Sequence, residues 1–282
     1  MALSIVIIWR SSRVINFAQA GLALFSTYVG YECVKVIGNY WIALPIAVIA
    51  GALIASMIEF LFMRFLAKLH INSPISAVAP IIVTLGLLGI IRASIAFIWG
   101  GQELRIAAPL SNIGYSIGDK TLVFSPMKLM ILISVAIVLV ILGIIFQRTN
   151  LGLALKASSF APEISKLSGL KVDLIRNIGW ALSGGVAALA GLLQTANGSG
   201  SISPEALEFA ILLVSGFIAA VIGGLESLIG AVFGGLLLGT LVSFALMYID
   251  GGLFFIAPLF ILILVLIVRP RGIFAPKAGR HA

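Results

Sequence analysis

Few side chains in this sequence could carry chemistry, because only 10% of its 282 residues are charged. Glu59 and Arg92 lie inside long apolar stretches, where an uncompensated charge is costly and therefore marks either a local ion pair or a functional site. Glu59 lies close to Arg64 at the end of its stretch, so we expect its carboxylate to extend to the membrane–water interface. Arg92 lies deeper, and it is the better candidate of the two for lining a wet cavity on a translocation path.

Asn16 and Gln19 are a second candidate pair. The two amides lie one helical turn apart, where the chain passes from the basic residues Arg10 and Arg13 into an apolar stretch. Amides at such a break either hydrogen-bond backbone groups that an interrupted helix leaves free, or contact a polar solute in transit. The structural role is favoured, and we keep Asn16, Phe17 and Gln19 as candidates for the translocation path.

The motifs of common enzymes are absent from the sequence. It contains no Gly-x-x-x-x-Gly-Lys-Ser/Thr phosphate loop, no His-Glu-x-x-His zinc motif and no nucleophile elbow. Cys33 is the single cysteine, so an intramolecular disulfide or a thiolate metal site cannot form. We therefore expect no catalytic residue, no metal and no cofactor, and any ATP hydrolysis must occur in another subunit.

Composition places the chain in a lipid bilayer. Its residues are 61% hydrophobic, whereas an ordinary soluble domain is roughly 25% charged. The formal charge of +8 comes from short basic clusters between apolar stretches, as the positive-inside rule requires, so we expect no nucleic-acid partner. The predicted fold class is all-α, a polytopic helical bundle that forms a single transmembrane domain over residues 1–282.

We predict about eight full membrane spans, because the apolar stretches match the length that crosses a bilayer. The spans are 17–31, 41–65, 77–99, 127–146, 174–194, 207–222, 230–249 and 253–268. Before them, the stretch 2–9 would rise only about 12 Å as a helix, so we expect a truncated half-span. Basic clusters at 64–70, 148–176 and 269–280 put these segments in the cytoplasm, and 114–124 should form a small hairpin on the outer side.

Glycine occurs inside the predicted spans as well as in loops. Gly230 and Gly234 lie one helical turn apart, as do Gly235 and Gly239. Small residues at this spacing let helix backbones approach closely in lipid. Packing within one bundle is the simpler interpretation, and a subunit interface is the alternative.

The segment 147–170 is the best clue to function, because it is a basic insert between two apolar spans. Its first half has apolar residues at helical spacing. Pro162 and Glu163 fit the first turn of a second helix, and Gly169 fits its C-terminal stop. We predict two short amphipathic helices, whose apolar side contacts either a partner's groove or the membrane surface.

Four motifs, in order along the chain, resemble those of the branched-chain amino acid ABC transporter permeases, specifically the H-type subunit. They are RVINFAQAG at 13–21, RTNLGLALKA at 148–157 with Pro162, Glu163 and Gly169 after it, GGLESLIGA at 223–231 and RPRGIF at 269–274. The chain departs from the family at Gln19, where His is common, and at Glu226, where a small residue is usual.

The resemblance implies a permease subunit of an ATP-binding cassette importer in the bacterial inner membrane, with branched-chain or other hydrophobic amino acids as cargo. Its partners would be a second homologous permease subunit, two cytoplasmic ATPase subunits, an extracytoplasmic solute-binding protein and the lipid bilayer. The ATPase-coupling loop, at about 147–173, would act through Gly152, Ala154, Leu155, Lys156, Ala157, Pro162, Glu163 and Gly169. Urea, short amides or other small solutes are alternative cargoes, and an ion-coupled secondary transporter is the alternative from another class.

Overall fold

The computed structural model describes residues 1–68, 75–117, 120–121, 124–249, 256–269 and 272–274. Helices make up most of them, which agrees with the predicted all-α class. The helices are α1 (Ala2–Ser12), α2 (Gln19–Ile37), α3 (Tyr40–Ile58), α4 (Arg64–Lys68), α5 (Ile75–Trp99), α6 (Pro126–Arg148), α7 (Asn150–Phe160), α8 (Pro162–Leu167), α9 (Val172–Asn197), α10 (Leu207–Gly223), α11 (Leu228–Tyr248) and α12 (Ile256–Val268).

Five helical segments in the described part of the chain are long and apolar enough to cross a membrane. They are Tyr40–Leu66, Val78–Trp99, Pro126–Arg148, Val172–Asn197 and Leu228–Tyr248. The predicted count of about eight full spans is therefore not confirmed. α10 and α12 are apolar but shorter, and α2 is less apolar because it contains residues such as Gln19, Tyr28 and Glu32.

α1 is a short helix of 11 residues, as the length of the predicted half-span requires. Val6 and Ile7 are fully buried, and the helix packs against α7, α9, α10 and α11. α1 therefore belongs to the core of the bundle. The buried central helix against which most of the others pack is α9, which contacts α1, α2, α3, α6 and α7.

Glycines allow α9 to approach its neighbours closely. Gly184 lies against the backbone of Gly51 on α3, with no space for a side chain. A Cβ on Gly191 would lie 2.7 Å from the Ala23 carbonyl oxygen of α2. Because lipid provides no hydrophobic driving force between helices, such close backbone contact is a main source of their association.

The helix that contains α3 and α4 has one π turn, Glu59–Met63, between them. The Arg64 N–H donates to the Glu59 carbonyl oxygen, which is the i to i+5 bond of a π turn. Single π turns inside α-helices are frequent at functional sites, and this one begins at the buried carboxylate of Glu59.

Two small antiparallel sheets lie between the helices. β2 (Ser116–Ile117) pairs with β3 (Lys120–Thr121), as the predicted hairpin requires, and β1 (Leu104–Arg105) pairs with β4 (Ser201–Ile202). The sequence did not indicate the second pairing, which joins the loop after α5 to the loop after α9.

Gly51→Ala tests the packing of α3 on α9. A Cβ at Gly51 would lie 2.7 Å from the Ala188 Cβ and 2.8 Å from the Gly184 carbonyl oxygen. We expect overpacking to lower the free energy of unfolding by about 1–3 kcal/mol, measured as thermal unfolding in detergent. Gly89→Ala is the matched control, because no atom lies within 4 Å of its Cβ position. Equal stability of the two variants would contradict the packing argument.

Candidate functional site

The two helices predicted for 147–170 are confirmed as α7 and α8. α7 begins after Thr149, whose side chain accepts a hydrogen bond from the Gly152 N–H. α8 begins at Pro162, where the missing N–H of proline has no helical partner to lose. Gly169 then has φ +84°, a conformation that glycine adopts without strain.

One side of α7 is buried against the bundle. Gly152, Leu155 and Ser158 are buried, and Gly152 lies against the backbone of Phe146 at the end of α6, where no side chain would fit. A Cβ on Gly179 of α9 would lie 3.2 Å from Leu155 Cδ2. α7 is therefore fixed to both α6 and α9.

The other side of α7 and most of α8 are exposed. Leu153 is 71% exposed and Leu167 is 89% exposed, and Phe160 and Ile164 are exposed as well. Lys156 is exposed beside them. We name these five residues the α7–α8 face. Large apolar side chains grouped on an exposed surface are typical of an interaction site.

The residues predicted for the coupling loop fall into two groups. Gly152 and Leu155 are buried, and Ala154 and Ala157 are half-buried, whereas Lys156, Pro162, Glu163 and Gly169 are exposed. The first group holds α7 on the bundle, and the second is accessible to a partner. Ile164 and Leu167 have the i,i+3 spacing of the predicted apolar side. Leu153 was missed, because its spacing did not indicate that it faces outwards.

Arg13 connects three segments at the basic end of the bundle. It follows α1 in a left-handed conformation, with φ 56°. Its Nη1 lies 2.7 Å from Glu226 Oε1, and its guanidinium carbon lies 4.3 Å from the centre of the Phe160 ring. An attraction between a cation and an aromatic face adds roughly 0.5–1 kcal/mol at a partly exposed site. The end of α1 thus contacts both the end of α7 and the turn before α11.

The closing motif lies against the glycine-rich motif. The Ile273 N–H donates to the Ile222 carbonyl oxygen at 2.8 Å, and the Phe274 N–H donates to the Gly223 carbonyl oxygen at 3.1 Å. These bonds satisfy carbonyl groups at the C-terminal end of α10, which has no intrahelical donors for them. The end of α10 and the turn contacted by Arg13 therefore lie at the same end of the bundle.

Asn16 and Gln19 are buried and hydrogen-bonded. Asn16 Nδ2 donates to Gln19 Oε1 at 3.0 Å, and Gln19 Nε2 donates to Ser183 Oγ of α9 at 2.8 Å. Ser183 Oγ donates to the Ser4 carbonyl oxygen of α1 at 2.7 Å, and Asn16 Oδ1 accepts from the Ala18 N–H. The amides thus join α1, α2 and α9 at the break between the first two helices.

Phe17 hydrogen-bonds to α5 and Arg92 is a residue of α5, but the two lie at different positions along that helix. The Phe17 N–H donates to Thr84 Oγ1 at 3.3 Å. Arg92 lies further along α5, and its Nε is buried without a hydrogen-bond partner. Among the described residues, no hydrogen bond joins Arg92 to Asn16 or Gln19. The structure brings the two amides together but does not bring Arg92 to them.

Only one of the two predicted glycine pairs lies in a helix contact. Gly230 packs against Gly223, and Gly234 packs against Ala219, so α10 and α11 approach closely. Gly235 makes only an ordinary contact with Ala219, and no atom lies within 4 Å of the Cβ position of Gly239. Gly235 and Gly239 instead line an apolar cavity of about 780 Å³ between the start of α1 and helices α6, α10, α11 and α12.

No group of three or more His, Cys, Asp or Glu side chains that could hold a metal occurs in the described part of the chain. In α7 and α8, an exposed apolar surface is fixed to α6 and to the buried helix α9.

A comparison with protein families gives a match over residues 1–268 to the branched-chain amino acid transport system permease component. The matched range includes every helix from α1 to α12. The chain belongs to this family.

Individual permeases align with this chain over 57–97% of its length. The "Probable branched-chain amino acid transport permease protein LivH" of Methanocaldococcus jannaschii is 28% identical, over 97% of this chain and 87% of its own length. The high-affinity branched-chain amino acid transport system permease protein LivH of Escherichia coli K12 is 23% identical, over 97% and 89%. The fructose import permease protein FrcC of Rhizobium meliloti is 30% identical, over 57% and 46%. No solved structure matches the chain significantly.

Family membership and the apolar helices together identify the class of protein. The chain is a transport permease rather than an enzyme, and its spanning helices make it a multi-pass protein of the inner membrane. The suspected resemblance is therefore confirmed.

Glu59 of the permease does not extend to water, so the sequence-based interpretation of this residue was wrong. Its side chain is fully buried, and its carboxylate lies 2.7 Å from Arg176 Nε and 3.7 Å from Arg64 Nη2. Asn177 Nδ2 also donates to it at 2.9 Å. Because Arg176 and Asn177 are distant from Glu59 in sequence, local spacing could not reveal these two partners. The carboxylate joins the end of α3 to the start of α9.

Glu59→Gln should destabilise the permease, because it leaves two guanidinium groups without their shared carboxylate. Removing one partner of a buried ion pair costs roughly 3–5 kcal/mol, which thermal unfolding in detergent would detect. Glu163→Gln is the control, because Glu163 is exposed and should change stability little. If Glu59→Gln is as stable as this control, the buried ion pair contributes nothing to the fold.

Proposed function

We propose that this chain is the permease subunit of an ABC importer that carries branched-chain, hydrophobic amino acids and is driven by separate ATPase subunits. Family membership over residues 1–268 supports the importer class. The names of the relatives that align over 97% of the chain support the cargo. The sequence has no phosphate loop of its own, so ATP hydrolysis is assigned to partners.

The α7–α8 face is the observation that carries ATPase coupling. Its exposed leucine, isoleucine and phenylalanine side chains lie in the segment 147–173, which also holds four of the 18 Lys and Arg residues. Basic loops stay in the cytoplasm, where the ATPases act. Binding is favourable when a partner's groove removes an apolar surface of this kind from water.

A movement of α7 would be transmitted to the membrane spans through the contacts of Leu155 and Phe160. Leu155 of α7 packs against Gly179 of α9, so a displacement of α7 would displace α9. Phe160 contacts Arg13, which also pairs with Glu226 before α11. A small shift at a docking surface is amplified when packed helices have two discrete arrangements. We infer that α1, α9 and α11 move together between outward-facing and inward-facing states.

The other subunits follow from the same class of importer. A second homologous permease subunit would complete the membrane domain, two cytoplasmic ATPase subunits would bind the paired α7–α8 faces, and an extracytoplasmic solute-binding protein would deliver cargo. The segments β1 and β4 lie at the end of the bundle opposite α7, where such a binding protein would dock.

The translocation path remains a prediction. Asn16, Phe17, Gln19 and Arg92 are its candidate residues. Gln19 at the start of α2 hydrogen-bonds to Ser183 of α9. A separation of α1 and α2 would break this contact and open the path there. Arg92, with an unpartnered Nε on α5, suits a group that contacts polar solute in an open state.

Two alternatives are tested by the same measurements. The fructose import relative aligns with over half of the chain, so other small solutes, including urea and short amides, are alternative cargoes. An ion-coupled secondary transporter needs titratable groups near the membrane midplane. The best acidic candidate, Glu59, is already neutralised by Arg176 at 2.7 Å, which argues against that class.

Uptake into proteoliposomes tests the class and the cargo. The permease is reconstituted with its partner permease, the ATPases and the binding protein, and labelled leucine uptake is followed with and without ATP. We expect uptake that requires ATP and that excess isoleucine suppresses, whereas excess fructose or urea does not. Uptake by this chain alone, driven by a proton or sodium gradient, would contradict the proposal.

Leu153→Asp and Leu167→Asp test the docking surface. Each places a carboxylate where an apolar contact is proposed, so we expect the yield of co-purified ATPase to fall by at least roughly tenfold. Ile113→Asp is the matched control, because Ile113 is an equally exposed apolar residue in the loop between α5 and α6. Normal ATPase yield with both leucine variants would refute the docking assignment.

A further inference from the structure

A cleft with one polar and one apolar end lies beside the π turn. Its volume is about 440 Å³. Residues of α3, the π turn, α4 and α9 line it: Leu53, Ser56, Met57, Phe60, Arg64, Leu174 and Asn177. It is separate from the α7–α8 face and from the candidate residues of the translocation path.

Arg64 forms the polar end of the cleft and has unused hydrogen-bonding capacity. Its Nη2 lies 3.7 Å from Glu59 Oε2 and donates to the Asp173 carbonyl oxygen at 3.4 Å, but its Nε is buried without a partner. Glu59 already has a closer partner in Arg176, at 2.7 Å. Asp173 Oδ1 also lies 3.6 Å from Arg176 Nη2, so both carboxylates of this cluster pair more closely with Arg176 than with Arg64. The guanidinium of Arg64 therefore keeps hydrogen-bonding capacity for an anion.

The apolar end of the cleft faces the lipid. Leu53, Met57 and Phe60 are all more than half exposed, and they belong to the spanning segment Tyr40–Leu66. Exposed apolar side chains on a spanning helix contact acyl chains in a bilayer. The guanidinium carbon of Arg64 lies 4.8 Å from the centre of the Phe60 ring, so the cation lies directly beside this apolar wall.

The depth of the cleft identifies the occupant. Arg64 lies near the end of its span, on the side of the basic clusters, which is the level of the cytoplasmic lipid phosphates. A free phosphate would use Arg64 but gain nothing from the apolar wall. A neutral lipid would use the wall but leave the charge of Arg64 partly uncompensated. An anionic phospholipid satisfies both ends, and basic sites between spanning helices bind such headgroups.

We propose that this cleft binds an anionic phospholipid, with its phosphate on the guanidinium of Arg64 and an acyl chain along Leu53, Met57 and Phe60. The bound lipid would lie against the contact between α3 and α9. This site is independent of the cargo and of the ATPases.

Native mass spectrometry of the purified full-length chain in detergent tests the charge requirement. Phosphatidylglycerol and phosphatidylcholine with identical acyl chains are added separately. We expect about fivefold preference for phosphatidylglycerol, the effect of one basic residue near an anionic headgroup. Arg64→Gln should abolish the preference. Arg269→Gln should keep it, because Arg269 is exposed at the end of α12 and outside the cleft.

A second pair of variants tests the apolar end without changing charge. Met57→Trp fills the cleft and should reduce retained phosphatidylglycerol severalfold. Leu61→Trp adds the same bulk to an exposed residue of the π turn that does not line the cleft, and it should retain the lipid. This pair keeps the proposal testable if Arg64→Gln fails to fold.

Three results would overturn the proposal. Equal binding of the two lipids by the unmodified chain would remove the charge requirement. Displacement of phosphatidylglycerol by millimolar inorganic phosphate would identify a free anion as the ligand. Loss of the partner permease in Arg64→Gln with unchanged lipid preference would identify the cleft as a protein interface.

Discussion

The close approach of α3 and α9 is the constraint on which the rest of the structure depends. Gly51 and Gly184 bring the two backbones into direct contact, which larger side chains would prevent. In lipid, where apolar burial between helices gains little, close backbone contact of this kind is a main source of helix association. Helix α9 then provides the surface on which α1, α2 and α7 pack, so its position determines theirs.

Hydrogen bonds between polar groups fix how the neighbouring helices are positioned on α9. Asn16, Gln19 and Ser183 fix the break between α1 and α2 on α9, while Glu59 fixes the end of α3 on α9. Both sets are hydrogen-bonded, as buried polar groups in a membrane must be. The Arg13 contacts are partly exposed and weaker individually. A bundle with strong bonds at α9 and weaker bonds around Arg13 can move around Arg13 without losing its fold.

Local patterns predicted much of this fold and part of the site. Pro162 and Gly169 carry their own backbone restrictions, so the ends of α8 were predictable from single residues. Contacts between distant residues were not. Arg13 and Glu226 are 213 positions apart, and neither residue has a local pattern that indicates the other. Glu59 was misinterpreted for the same reason, since its partner Arg176 lies 117 positions away.

The π turn at Glu59–Met63 determines how α4, the helix that follows it, is rotated about the helix axis. A π turn contains one residue more than the α-helical turn that it replaces, and one residue corresponds to about 100° around the helix axis. The extra residue therefore rotates Arg64 relative to Leu53 and Met57 on the preceding turns. In an uninterrupted α-helix, residues 59 and 64 would lie about 140° apart around the axis, and the guanidinium would point away from Glu59. A single inserted residue thus decides which way the basic end of this helix faces.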